Sequence, residues 1–129
     1  RVQIVQERTS FVRNPEEWLN KYEIVQTDLR QKLIAAKEIL TEVTIAYELR
    51  VNISKVCSVL NVDGLRGDIV VNRAAKAYTA YDQRKVVTKD DINKIIVLCL
   101  RHRLRKDPLE SIDSGSKVQT TFNEIFEME

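Results

Sequence analysis

The sequence predicts an all-α fold, a helical bundle preceded by one long amphipathic helix and with at most a minimal two-strand pairing. Three observations carry this expectation. Only three glycines and two prolines stand among 129 residues, too little turn chemistry for a series of hairpins. Apolar residues recur at steps of three and four, the spacing of helices with one buried face. Two segments, Asn14-Pro15-Glu16-Glu17 and Thr88-Lys89-Asp90-Asp91, also carry helix-start chemistry.

Taken in order, the chain opens at Arg1 and Arg1 to Arg8 reads as the continuation of something upstream. At Asn14-Pro15 a helix begins: Asn caps free amides, Pro needs no amide at the first position, and Glu16 and Glu17 face the positive dipole end. From there Trp18, Tyr22, Val25, Leu29, Leu33, Ala36 and Leu40 form one apolar seam. The β-branched stretches Glu42 to Ala46 and Lys85 to Thr88 suit a minimal strand pair. Between them, Tyr47 to Leu60 reads as a helix broken at Asn61-Val62-Asp63-Gly64, and a second helix follows Asp63, which suits its cap, to about Asp82. The helix opened by Thr88 carries Ile92, Ile95, Ile96 and Cys99 and is expected to end near Arg105, ahead of Pro108. After a polar connection from Glu110 to Ser116, Val118, Phe122, Ile125 and Phe126 mark a short terminal helix.

Bulk charge does not define a partner, since 21 basic residues are nearly balanced by 19 acidic ones for a net +2. The longest apolar run, Ile95 to Leu100, is too short to cross a bilayer, so no stable membrane insertion is expected. No Gly-rich phosphate loop, no catalytic triad and no metal-ligand spacing can be assembled, so no catalytic site is complete in this chain and no metal site is expected.

Three places remain as candidates. Arg66 puts a cation on the first turn of a helix, where the dipole is already positive, and Gly67 follows it at a further cost in helix stability. Such a pair suits a phosphate supplied by another domain, with close approach permitted by Gly67; the plainer alternative is a surface pairing of Arg66 with Asp63 or Asp68. The run Arg101-His102-Arg103-Leu104-Arg105-Lys106 either complements a helix C-terminus or binds phosphate or an acidic partner, nucleic acid being one case. Cys57 and Cys99 fall on apolar faces and read as small core residues, able to approach each other if their helices pack.

Two blocks, Val62-Asp63-Gly64-Leu65-Arg66-Gly67-Asp68-Ile69-Val70-Val71-Asn72-Arg73-Ala74-Ala75-Lys76-Ala77 and Cys99 to Gly115 (Cys-Leu-Arg-His-Arg-Leu-Arg-Lys-Asp-Pro-Leu-Glu-Ser-Ile-Asp-Ser-Gly), closely resemble the C-terminal part of the magnesium-chelatase I subunit, an AAA+ ATPase. The resemblance covers nearly the whole chain and implies a bundle of the AAA+ lid type. It implies residues 1–13 as a connection from an ATPase core, 14–42 as a connecting helix, 43–106 as the lid, and 107–129 as a polar loop with a C-terminal helix. Arg66 matches the family's sensor-2 arginine, which reaches toward the ATP γ-phosphate. Walker motifs and the arginine finger have no counterpart here, so this piece alone is not expected to hydrolyse ATP.

The resemblance further implies ATP with Mg2+ as cofactor, held mainly by the ATPase core. Implied partners are other I subunits in a ring and the chelatase D and H subunits, with Arg101, Arg103, Arg105 and Lys106 as possible subunit contacts and no nucleic acid expected. The implied place is the plastid stroma or the cyanobacterial cytoplasm, and thiol control in some plastid relatives makes Cys57 and Cys99 possible redox residues. Two rival readings stay open: a basic helical nucleic-acid-binding module, and a purely structural oligomerisation domain built on the Trp18 to Leu40 seam.

Overall fold

A computed structural model of the chain describes residues 1–104 and 113–127. Among these residues the elements are α1 (Val2–Arg13), α2 (Pro15–Ile39), a 3-10 turn (Leu40–Glu42), α3 (Tyr47–Val59), α4 (Arg66–Tyr81), α5 (Lys89–Leu100) and α6 (Ser114–Glu127). The all-α expectation holds. The chain divides into two compact units, residues 1–35 and 36–129.

In the first unit the opening segment, for which the sequence reading assigned no element, is the helix α1. It is joined to α2 by an aromatic and polar cluster. Trp18 Nε1 donates to Glu7 Oε2 at 2.7 Å and Tyr22 Oη to the same oxygen at 3.0 Å, while Phe11 meets Trp18 edge-on at 5.4 Å between centroids. The hydrogen bonds from Trp18 and Tyr22 hold the Glu7 carboxyl below its ordinary pKa, against a small opposing effect of burial. Asn14 caps α2 as expected: the Glu17 amide donates to Asn14 Oδ1 at 3.2 Å, and Asn14 Nδ2 returns a bond to Glu17 Oε2 at 3.1 Å. The long seam of α2 is exposed through its middle, with Val25, Leu29 and Leu33 open to solvent, and among α2 residues Ala36 is buried.

In the second unit, α4 packs on α3 and α5, and α6 packs on α3 and α5, so the four helices close a cycle around one core. Ile53, Val56, Val71, Ala75, Ile92, Ile96, Leu100, Val118 and Phe122 fill it. The expected strand pairing is a single parallel bridge, Thr44 to Val86. The Thr44 amide donates to the Lys85 carbonyl at 2.8 Å and the Val87 amide to the Thr44 carbonyl at 3.0 Å, which seats Val43, Ile45 and Val87 in the core.

Two matching turns set the ends of α3 and α4. After α3, Asn61 takes φ 52°, its amide bonds to Ser58 O at 3.0 Å, and the Val62 amide reaches back to Cys57 O at 3.0 Å. After α4, Gln83 takes φ 57° and the Arg84 amide reaches Thr79 O at 3.0 Å. Both satisfy helix-end carbonyls by a left-handed residue. The capping box at α5 forms as expected, Thr88 and Asp91 each bonding the other's backbone amide.

Asp91 does more than cap. Only 2% exposed, it accepts from Thr79 Oγ1 at 3.2 Å and from the Thr88 hydroxyl at 2.8 Å, and both terminal nitrogens of Arg84 grip it, Nη1 at 2.9 Å. Burial pushes its pKa up, but the bonds from Arg84 and Thr88 outweigh burial and hold the carboxyl well below the usual carboxylate range.

Candidate functional site

Arg66 is the first residue of α4 and is exposed. The residue before it, Leu65, takes the cap position without a side-chain cap bond, so Asp63 does not cap this helix as the sequence suggested. Gly64 lies between them at φ +66° with open space around it, so glycine serves the backbone turn there, and Leu65 rather than Asp63 takes the cap position. Arg66 forms no ion pair with any described residue. Asp68, one of its two expected partners, instead accepts a hydrogen bond from Ser54 Oγ at 2.5 Å, across to α3.

Gly67 is buried, and the structure corrects its expected use. A Cβ added there would stand 2.8 Å from Val62 Cγ1, 3.3 Å from Leu100 Cδ2 and 3.4 Å from Cys57 Sγ. Its missing side chain therefore admits neighbouring side chains of the core, not a ligand. The first turn of α4 is pressed onto α3 and α5, and Arg66, about 100° round the helix from Gly67, is left on the outside.

Cys57 and Cys99 are buried free thiols. Burial, the Asp68 carboxylate and Cys99 together push Cys57 up to about 12. Burial also raises Cys99, with Arg103 acting in the opposite sense. Both therefore hold their protons at neutral pH.

The basic run is divided. The helix α5 stops at Leu100 rather than near Arg105: residues 101–103 continue as a turn, in which the Arg103 amide bonds to Leu100 O at 2.8 Å. Arg101 and His102 are exposed. Arg103 is half-buried and its Nε donates to Cys99 O at 3.1 Å, satisfying a carbonyl at the negative end of the helix. Arg105 and Lys106 lie outside the described residues.

A hollow of about 490 Å³ opens between α3 and α4, bounded by Arg50 and Ser54 on one side, Asp68, Ile69, Asn72, Arg73 and Lys76 on the other, and Ile45. The sequence reading did not single out its cations. Their spacing on α4, with Arg66, Ile69 and Arg73 at steps of three and four, was legible as one face, but Arg50 joins them only through the packing of α3 on α4. Among the described residues no cluster of His, Cys, Asp and Glu is suited to hold a metal ion, and no helix is long and apolar enough to cross a membrane.

A family model described as the AAA lid domain matches residues 50–122. The chain is 61% identical over 129 residues to the magnesium-chelatase subunit ChlI of Trieres chinensis, covering 100% of this chain and 36% of that protein. It is 61% identical over 129 residues to the ChlI subunit of Anabaena variabilis, covering 100% of this chain and 38% of the relative. The ChlI subunit of a Synechocystis strain is 57% identical over 126 residues, 98% of this chain and 35% of that one. The chain thus spans little more than a third of the length of the curated relatives it matches.

Proposed function

Since the chain belongs to the AAA lid domain family, we propose that it serves as the C-terminal lid of the ATPase subunit of a magnesium chelatase, which couples ATP hydrolysis to insertion of Mg2+ into protoporphyrin IX in chlorophyll synthesis. The observation that carries this reading is identity of 61% to a chelatase subunit along the entire chain. In this reading residues 1–13 connect from the ATPase core, 14–42 form the connecting helix, 43–106 the lid, and 107–129 the polar loop and closing helix.

ATP with Mg2+ would be held mainly by residues of the core, and the part of that site offered here is Arg66. Its fit rests on chemistry: an exposed guanidinium with no ion-pair partner among the described residues, at a helix start that no side chain caps, favours a phosphate oxygen. The nucleotide supplies the anion that offsets the cation at the positive helix end. Gly67, seated against α3 and α5, ties Arg66 to the core of the lid, so a movement of the arginine is a movement of the lid as a body.

Further I subunits in a ring, and the D and H subunits, are the proposed partners. Exposed Arg101 is available to them, with Arg105 and Lys106 as further candidates, whereas Arg103 is already engaged at the helix end. Plastid or cyanobacterial cytoplasm is the proposed setting. Thiol control through Cys57 and Cys99 would first require the core to open, because both are buried.

The test is Arg66→Ala in the full-length subunit, with ATP binding, ATP hydrolysis and ring assembly measured separately. Hydrolysis should fall by at least about tenfold with ATP still bound, as expected for loss of a contact to transferring phosphate. If all three are unchanged, the sensor role fails and a purely structural domain is the better reading.

A further inference from the structure

We propose that the hollow between α3 and α4 is a docking site for an acidic segment of a partner polypeptide. The proposal is independent of the nucleotide role of Arg66. It begins with an imbalance. Elsewhere four cations form ion pairs among the described residues, three of them Lys21, 3.4 Å from Glu7, Lys32, 3.1 Å from Asp28, and Arg84, 3.2 Å from Asp82. Arg50, Arg73 and Lys76, which converge on one hollow from two helices, form no ion pair with any described residue. The one carboxylate among the residues bounding the hollow, Asp68, has an oxygen taken by Ser54. A concave surface bounded by cations of this kind concentrates positive potential where a ligand enters.

Shape and spacing select the class of occupant. Arg73 and Lys76 stand three residues apart on α4, about 4.5 Å along its axis, and Arg50 stands across on α3. Cations presented from two helices suit carboxylates repeated along a peptide. Ile69, 47% exposed, gives the hollow an apolar part that a polyphosphate backbone cannot use and an aliphatic side chain can. Asp68 at the rim also repels a continuous run of phosphates more than a peptide that places its acids at intervals.

The probe is a fluorescein-labelled peptide, acetyl-Glu-Glu-Leu-Glu-Glu-amide, titrated against the chain at low ionic strength by fluorescence anisotropy. Saturable binding is expected, weakened by added salt and weakened at least about tenfold in Arg50→Glu and in Arg73→Glu. Arg30→Glu, the same charge change on α2, should leave it within about twofold. Circular dichroism confirms that each variant is folded, and Arg73→Gln provides a milder change at the same position. Equal weakening by all three charge reversals, or no saturable binding, overturns the proposal. Displacement of the peptide by oligo-dT more readily than by unlabelled peptide would make the hollow a nucleic-acid surface, and displacement by sub-millimolar inorganic phosphate would make it a small-anion site. Either result also overturns it.

Discussion

The backbone of Gly67 lies so close to Cys57 that a methyl group on the glycine would stand 3.4 Å from the sulfur, and it would stand only 2.8 Å from Val62 Cγ1. Gly67→Ala therefore has to push Val62 aside, at about 1–3 kcal/mol for overpacking, against up to about 1 kcal/mol regained in helix propensity. A net loss of roughly 1 kcal/mol in urea unfolding is expected, with Gly67→Val worse. A stabilised Gly67→Ala would show that the contact is loose.

Arg66→Ala is expected to behave oppositely in the isolated chain. The side chain is exposed and makes no ion pair with the described residues, and removing a cation from a helix start relieves about 0.3–1 kcal/mol. Thermal melting should show a midpoint unchanged or slightly raised. A marked loss of stability would mean that the arginine holds the fold together rather than facing a ligand.

Replacing Asp91 by Asn leaves Arg84 and Thr88 without the carboxylate that joins them, and a cost of about 2–4 kcal/mol is expected from a buried, charge-assisted cluster. The sign with pH follows from its depressed pKa. The stabilisation is fully present above the unfolded carboxylate value of about 4 and is lost as pH falls through the lower folded value. Urea midpoints of the wild type should therefore drop below about pH 4, with the gap to Asp91→Asn narrowing over the same window.

With the Cys57 pKa near 12 and both thiols buried, alkylation at mildly alkaline pH should be at least about a hundredfold slower in the folded chain than in urea. Mass spectrometry after timed quenching reads this directly. Rapid labelling of the folded chain would show that the core opens readily around α3 and α5.

Local chemistry was the most legible part of this sequence. Asn14-Pro15 starts α2 and Thr88 with Asp91 starts α5 because each signature is complete within four residues and depends on no distant partner. The β-branched stretches around Thr44 and Val86 were also readable, since a short run of such residues favours extended backbone. What failed depended on packing or on a single turn. Asp63 has cap chemistry, yet Gly64 displaces the helix start beyond it. Gly67 suggests close approach by another backbone or a ligand, because nothing in sequence places Leu100 and Cys57 against it. Arg50 entered the basic hollow unnoticed for the same reason, as it stands on a different helix from Arg73.

The bridge at Thr44 carries a consequence for how the second unit folds. Its partners are 42 residues apart, so pairing them closes a loop whose entropic cost, by (3/2)RT ln n, is about 3 kcal/mol before Val43, Ile45 and Val87 return it through burial. Helix pairs adjacent in sequence, such as α4 with α5, close at far smaller separation. The stitch is thus expected late on the folding route, and once made it opens only with the whole core. In hydrogen exchange the Val87 amide, bonded to Thr44 O, should report global unfolding, and mutations at Val43 should speed unfolding while leaving the refolding rate nearly untouched.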